Sequence, residues 1–274
     1  MIIDNDLNLR LRRLQEMKDK VLARHARTPP DGLLRGYRYR DGFQYFLRKN
    51  TQDRHGIYLT NNKIETAAEL AQYEYEELVI GSIDAELQKP YCRCAGSADI
   101  WPWEQVYMQL PEFKRVLVEP LELPDAEFLN KWLNQQYVGK EFAADDPLFF
   151  TGCNVRVRSK AEVIIGSLFE KYNIPYLYEK PLYVKGSVLY PDFTILDLRY
   201  RRELIWEHFG LMDDPSYSSA FVWKINQYDR ANCRLGDNLI ISLESASNPL
   251  DTRQLSANVK QLALYLGTIP LQQR

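Results

Sequence analysis

The stretch that decides the fold is residues 188–209, VLYPDFTILDLRYRRELIWEHF. Two apolar runs separated by a charged connection predict two antiparallel strands, over residues 188–196 and 203–209. Each strand contains one acid among apolar neighbours, Asp192 in the first and Glu207 in the second. A carboxylate inside an apolar strand costs free energy unless its charge is compensated. The acids therefore either share a cation, as carboxylate pairs do with Mg²⁺, or each forms a separate ion pair with an arginine of the connection.

A helix is predicted before this hairpin, over residues 160–172 (KAEVIIGSLFEKY), because its apolar residues recur at helical spacing. Ser159 stands at the N-cap position, and Glu162 follows three residues later, which is the capping-box pattern. Glu162 therefore has two interpretations. It either only closes the start of the helix, or it also joins Asp192 and Glu207 in one site.

The neighbouring segments complete an α/β pattern. Residues 176–182 predict a strand between the first helix and the hairpin, and residues 217–232 predict a helix after it. Residues 239–243 (LIISL) then predict a buried strand, followed by a last helix that ends near Leu266. We expect these segments to form one α/β domain.

The order of these residues resembles the PD-(D/E)XK nuclease superfamily: a glutamate on the first helix, Pro-Asp on a strand, and an acid on the next strand. The resemblance spans about residues 155–266. It implies a restriction-endonuclease-like αβββαβ core with a mixed sheet, and hydrolysis of phosphodiester bonds with Mg²⁺ or Mn²⁺. By position, Asp192 and Glu207 are identified as metal ligands and catalytic acids, with Glu162 as the acid of the first helix.

One position departs from that family. The motif has a lysine two residues after the second acid, and this chain has Phe209 there. Nuclease domains attached to superfamily-1 helicases are more similar, because in them the lysine moves to the following helix. The resemblance then implies that Lys224 is the catalytic lysine, which would orient or deprotonate the attacking water. The alternative is an ordinary surface lysine.

Three further polar residues lie near these positions in the sequence, namely Arg158, Lys160 and His208. Arg158 and Lys160 lie at the start of the first helix, where an anion is favoured, so they are predicted phosphate contacts. His208 is excluded from the catalytic set, because strand alternation directs it away from Glu207.

The composition is that of an ordinary soluble protein, with 274 residues, 45% hydrophobic residues and a net charge of −2. The sequence shows neither a membrane span nor a signal peptide, so a cytoplasmic protein without a membrane partner is expected. Its four cysteines lack zinc-site spacing and are predicted to be reduced thiols. Residues 1–63 contain 14 Lys and Arg against 7 Asp and Glu, which favours an anionic partner such as nucleic acid, with DNA the first choice.

The sequence predicts four regions: a helix in 1–30, a sheet with a helix in 31–88, a helical connector in 89–150, and the nuclease-like domain in 151–274. The apolar stripe of the first helix either packs within the chain or pairs with a second copy in a homodimer.

Residues 31–88 predict three short strands and a helix, a small α+β module that resembles the arm-type DNA-binding domains of some phage integrases. Arg38 and Arg40 are expected on one strand face and are the predicted DNA contacts there. A different class of function remains open, in which a catalytically weakened nuclease fold serves as a nucleic-acid-binding or interaction module.

Overall fold

The computed structural model describes residues 6–89, 100–210 and 213–268. The described residues divide into two compact units, one within 7–124 and one within 125–268. The sequence placed the start of the second domain later, at residue 151. Residues 1–5 of the predicted N-terminal helical region, and Cys92 and Cys94, lie outside the described residues.

The first unit is an α+β structure. Its elements are α1 Asp6–His25, β1 Leu33–Tyr39, β2 Gly42–Arg48, β3 Ile57–Leu59, α2 Ile64–Leu87, α3 Pro102–Gln109 and α4 Glu112–Arg115. The strands pair antiparallel in the order β1-β2-β3. Leu34, Tyr45 and Leu59 are buried on the face of the sheet that packs against α2.

The apolar stripe of α1 is also buried, through Leu14, Met17 and Val21. Of the two alternatives for this helix, packing within the chain is therefore the one observed. Leu7 at the start of the stripe remains 40% exposed, and the homodimer contact stays a prediction.

The second unit is a mixed α/β structure, which confirms the predicted class. Its elements are α5 Asp125–Leu133, β4 Phe149–Phe150, β5 Arg156–Val157, α6 Lys160–Lys171, β6 Tyr176–Tyr178, β7 Leu182–Val184, β8 Ser187–Leu189, β9 Phe193–Asp197, β10 Arg202–Phe209, α7 Pro215–Arg230, β11 Leu239–Leu243 and α8 Thr252–Leu266. The main sheet has the order β11-β10-β9-β6, in which β10 and β11 are parallel and the other pairs antiparallel.

The structure divides two of the predicted strands. Only the first part of residues 176–182 (β6) and the last part of residues 188–196 (β9) belong to the main sheet. The chain between them forms β7 and β8, which pair with one another in a separate hairpin. Pro191, which has no N–H to donate to a strand ladder, separates β8 from β9, and Glu179 has a left-handed backbone (φ 47°) where the chain leaves β6. Asp192 therefore lies immediately before β9, not in the middle of a strand as predicted.

The two faces of the main sheet bury different elements. Phe169 of α6 and Val259 of α8 pack with Phe193 and Trp206 on one face. On the other face, the β7–β8 hairpin and α7 pack against Ile205 through residues that include Tyr228 of α7. Because side chains alternate along a strand, Glu207 is directed to the α7 face and His208 to the α6–α8 face.

The composition predicts reduced cysteines and no membrane-spanning helix. Cys153 and Cys233, the cysteines within the described ranges, are free thiols. Among the described helices, none has both the length and the apolar character needed to cross a bilayer.

Candidate active site

Asp192 and Glu207 lie opposite each other at the end of the β9–β10 ladder. Phe193 pairs with Trp206, so the next positions along the two antiparallel strands are Asp192 and Glu207. The peptide N–H of Asp192 donates to Glu207 Oε2 (3.3 Å), and the peptide N–H of His208 donates to Asp192 Oδ2 (2.7 Å). The hairpin therefore brings the two predicted acids together and uses the backbone to hold each carboxylate.

This arrangement concentrates negative charge in a poorly hydrated place. Burial raises the pKa of Asp192 well above its usual value, and the charges of Glu207 and Glu162 raise it further, whereas Lys224 opposes them. Part of the cost of ionising Asp192 is thus repulsion from the other carboxylates. A cation bound between Asp192 and Glu207 would remove that repulsion and favour the ionised form of Asp192.

Helix α7 supplies a lysine and a tyrosine to the same carboxylate. The Lys224 ammonium forms an ion pair with Glu207 Oε1, and the Tyr228 hydroxyl donates to Oε2 (2.6 Å). The two residues are four positions apart and so share one helix face. Burial alone would lower the pKa of Lys224, but the charges of Glu207 and Asp192 outweigh it and raise the pKa. The ion pair with Glu207 therefore favours the ammonium form of Lys224.

Phe209, at the position of the motif lysine, is part of the apolar support of this site. Its ring is buried and lies edge-on to Phe221 of α7, with the ring centres 4.6 Å apart. Lys224 Nζ lies 5.8 Å from the centre of the Phe209 ring. Lys224 thus reaches Glu207 from α7 beside the buried Phe209 ring.

Tyr217 is a neighbour of the site that the sequence reasoning missed. Burial raises its pKa, and the charges of Asp192 and Glu207 raise it further, which places its hydroxyl in their field. It precedes Lys224 by seven residues, two helical turns, so the 3.6-residue period would have identified it as lying on the same face.

Glu162 closes the start of α6, as the capping box predicts. The Ser159 hydroxyl donates to Glu162 Oε1 (2.8 Å), and the Glu162 peptide N–H donates to Ser159 Oγ (3.2 Å). Oε2 accepts from the Arg158 peptide N–H (2.8 Å) and from the Tyr178 hydroxyl (2.7 Å). Its charge reaches Asp192, but both of its oxygens are engaged, and its role as a catalytic acid and metal ligand stays a prediction.

Two carboxylates, Asp192 and Glu207, are available to bind the metal that the resemblance implies, rather than three. Within residues 6–89, 100–210 and 213–268, no cluster of three or more His, Cys, Asp and Glu side chains has the geometry to hold a metal ion. Asp192 and Glu207 nevertheless fit a hard divalent cation, since they are facing carboxylates whose mutual repulsion such an ion would relieve. The remaining ligands would have to be water and substrate oxygens.

The guanidinium of Arg158 is engaged by protein acceptors, which argues against the predicted phosphate contact. Nε donates to Glu179 Oε1 (2.7 Å), Nη1 to Asp146 Oδ2 (2.9 Å), and Nη2 to the carbonyl of Lys140 (2.9 Å). The group also lies over the Phe142 ring, 4.2 Å from its centre. These contacts assign Arg158 to holding the loop before α6 and the chain after β6.

The other predicted nucleic-acid contacts remain accessible. Lys160, the first residue of α6, is exposed. Arg38 is exposed and its Nη1 lies 3.4 Å from Glu112 Oε2. Arg40 does not share a strand face with it, because β1 ends at Tyr39 and Arg40 lies in the turn with a left-handed backbone (φ 51°).

His208 lies on the far face of the sheet from Glu207, as strand alternation predicts. Its Nδ1 is 2.9 Å from Ser242 Oγ, and its Nε2 is 3.4 Å from Glu244 Oε1. The imidazole is thus separated by the sheet from the Asp192–Glu207 pair, to which His208 contributes its peptide N–H.

Comparison with known proteins adds a short segment of similarity. An uncharacterized protein of Methanocaldococcus jannaschii is 31% identical to this chain over an alignment of 100 positions, and the match covers 31% of this chain and 8% of the relative. The chain thus spans less than a tenth of that protein's length. No family model matches the sequence, and no solved structure matches it significantly.

Proposed function

We propose that this chain is a divalent-metal-dependent nuclease that hydrolyses phosphodiester bonds, with DNA as the expected substrate and the cytoplasm as its location. The observation that carries the proposal is the Asp192–Glu207 pair, two facing carboxylates at one sheet end, with Lys224 bound to one of them. The order helix, three sheet strands, helix and strand supports the likeness to the PD-(D/E)XK core.

Each side chain has a separate task in this proposal. Asp192 and Glu207 would hold the metal, while Tyr228 and the backbone N–H groups fix the orientation of the carboxylates. When bound, Mg²⁺ or Mn²⁺ would neutralise charge on the phosphodiester and lower the pKa of water. Lys224, as a protonated donor, would hold a phosphoryl oxygen or the attacking water and stabilise the charge that develops during hydrolysis.

The test is a titration of the purified chain with Mg²⁺ or Mn²⁺ against plasmid, linear and single-stranded DNA. We expect metal-dependent cleavage by the wild type and none by Asp192→Ala, with both proteins showing the same far-UV spectrum. The matched control is Asp213→Ala, which removes an exposed acid at the start of the α7 region. Cleavage by Asp192→Ala at the wild-type rate would disprove the assignment.

A second candidate function is nucleic-acid binding without hydrolysis. It is favoured by the fact that both oxygens of Glu207 already accept protein donors, from Lys224 and Tyr228. In that case Lys224 serves only to compensate the buried carboxylate. Thermal unfolding separates the two functions: a melting temperature that rises with Mg²⁺ in the wild type but not in Asp192→Ala favours the nuclease, and no response in either favours binding alone.

A further inference from the structure

The β1-β2-β3 sheet of the first unit has one face that is not covered by α2. Strand alternation and the register give this outer face one residue set, which is Leu33, Arg35, Tyr37, Tyr39, Gln44, Phe46, Arg48 and Tyr58. The opposite face contains the buried Leu34, Tyr45 and Leu59. The sheet is therefore two-sided, with its core on one side and aromatic residues on the other.

Three aromatic rings cross the outer face, one from each strand. Tyr37 of β1 lies edge-on to Phe46 of β2, with ring centres 5.7 Å apart, and Phe46 lies 5.4 Å from Tyr58 of β3. Tyr37 and Tyr58 remain 46% and 45% exposed, so each presents ring surface to solvent. Phe46 lies directly opposite Tyr58, and Tyr37 lies two residues along β1 from the position opposite Phe46, so the three rings form a diagonal row across the sheet in which neighbouring rings hold one another in position.

The charge beside this row is positive. The Arg35 guanidinium lies 4.8 Å from the centre of the Tyr37 ring, and that of Arg40 lies 5.3 Å from the Tyr39 ring. The residue set of the outer face, all of it described by the structure, includes arginines and contains no Asp or Glu. An acidic protein segment would pair with the arginines but not stack on the rings, and an apolar segment would pack on the rings but leave the arginines unpaired. A nucleic-acid strand offers phosphates to the arginines and bases to the rings.

We propose that the outer face of β1-β2-β3 binds single-stranded nucleic acid, with bases stacked on Tyr37, Phe46 and Tyr58 and the backbone phosphates near Arg35. Exposed rings on a sheet can stack only with bases that are not already paired and stacked in a duplex. The proposal deepens the proposed function by naming the form of nucleic acid, and it requires no cleavage.

The experiment measures binding by fluorescence anisotropy, with the full chain in EDTA so that metal-dependent cleavage cannot occur. The probes are labelled oligothymidylate, oligouridylate and a hairpin duplex. We expect both single strands to bind more tightly than the duplex. Tyr37→Ala and Tyr58→Ala should each weaken single-strand binding by about 5- to 150-fold, because one base–aromatic stack contributes about 1–3 kcal/mol. Tyr37→Phe should bind like the wild type, because the ring is kept.

The matched control is Tyr183→Ala, which removes a tyrosine that is 77% exposed on the β7 strand of the second unit. It should leave the affinity unchanged. Preference for the duplex, or single-strand affinity unchanged by Tyr37→Ala and Tyr58→Ala, would overturn the proposal. Because the assay contains no metal, a failed nuclease assay with intact single-strand binding would count against the proposed function alone.

Discussion

At the scale of single residues, Asp192 is held in an environment that disfavours its own charge. Burial and the charge of Glu207 raise its pKa, so the unfolded chain releases this proton at a lower pH than the folded chain does. The site therefore destabilises the metal-free fold as the pH rises from the ordinary pKa of an aspartate, near 4, through the raised folded value.

This gives a prediction for Asp192→Asn, which keeps the shape and removes the titration. In EDTA at pH 8, we expect the variant to melt at a higher temperature than the wild type. At pH 4 the difference should become smaller, because the folded carboxyl is then protonated and the unfolded one is only about half ionised. Thermal unfolding of both proteins, followed by circular dichroism at the two pH values, measures this difference in melting temperature. A variant less stable than the wild type at pH 8 would contradict the electrostatic account.

Lys224→Gln removes the ammonium beside Glu207 and keeps a hydrogen-bond donor. Loss of one preorganised charge-stabilising donor typically reduces kcat by about 10²- to 10³-fold, so we expect a loss of this size in metal-dependent cleavage. DNA affinity in EDTA should change little. Lys180→Gln, which removes a lysine paired with Glu203 elsewhere in the unit, is the control and should retain cleavage. Equal rates for Lys224→Gln and wild type would favour the binding-only function.

At the scale of elements, the start of α6 tests the two interpretations of Glu162. Ser159→Ala removes the N-cap hydroxyl and should cost about 1 kcal/mol of unfolding free energy. Glu162→Gln preserves the capping pattern, in which glutamine also occurs, and should be nearly as stable as the wild type. Denaturant unfolding measures both. If Glu162→Gln is stable but loses cleavage, the charge of Glu162 takes part in the chemistry.

The sequence was most informative where a local signal and the tertiary structure agree. The capping box predicted where α6 begins, and the apolar run LIISL predicted β11 as the structure has it. The β9–β10 hairpin was also predictable, because its two apolar runs and charged connection are adjacent in the sequence.

Other features depend on contacts between distant segments and were not predictable from local pattern. The apolar runs of residues 176–182 and 188–196 each contribute to two sheets. Their inner ends lead into the β7–β8 hairpin, because Val184 and Leu189 are buried against α7. Burial of Phe209 against Phe221, and the approach of Lys224 and Tyr217 to Asp192, likewise follow from how α7 packs on the sheet.

At the scale of the whole molecule, the chain consists of two compact units that divide between Pro124 and Asp125. The predicted division at residue 151 falls later, because α5 packs with the second unit: Trp132 is buried with Leu177 and Leu196. Its indole N–H also donates to Glu203 (2.7 Å). Residues 125–150 are thus part of the α/β unit rather than a connector.

This division predicts the behaviour of the separate parts. A fragment of residues 125–274 should fold cooperatively and retain metal-dependent cleavage, because Asp192, Glu207 and Lys224 all lie within it. It should bind single-stranded nucleic acid more weakly than the full chain, since it lacks the aromatic face. Activity and anisotropy assays on fragment and full chain measure the two effects, and an inactive but folded fragment would show that the first unit contributes to the reaction.

The antiparallel register of β9 and β10 also has a consequence for how such a site can diverge. The connection of residues 198–201 sets which β10 side chain lies opposite Asp192. A one-residue slip in that register would direct Glu207 to the α6–α8 face and bring His208 to Asp192. In descendants of this sequence, a change in the length of one surface turn would therefore replace a carboxylate pair with a carboxylate–imidazole pair, with no substitution at position 192, 207 or 208.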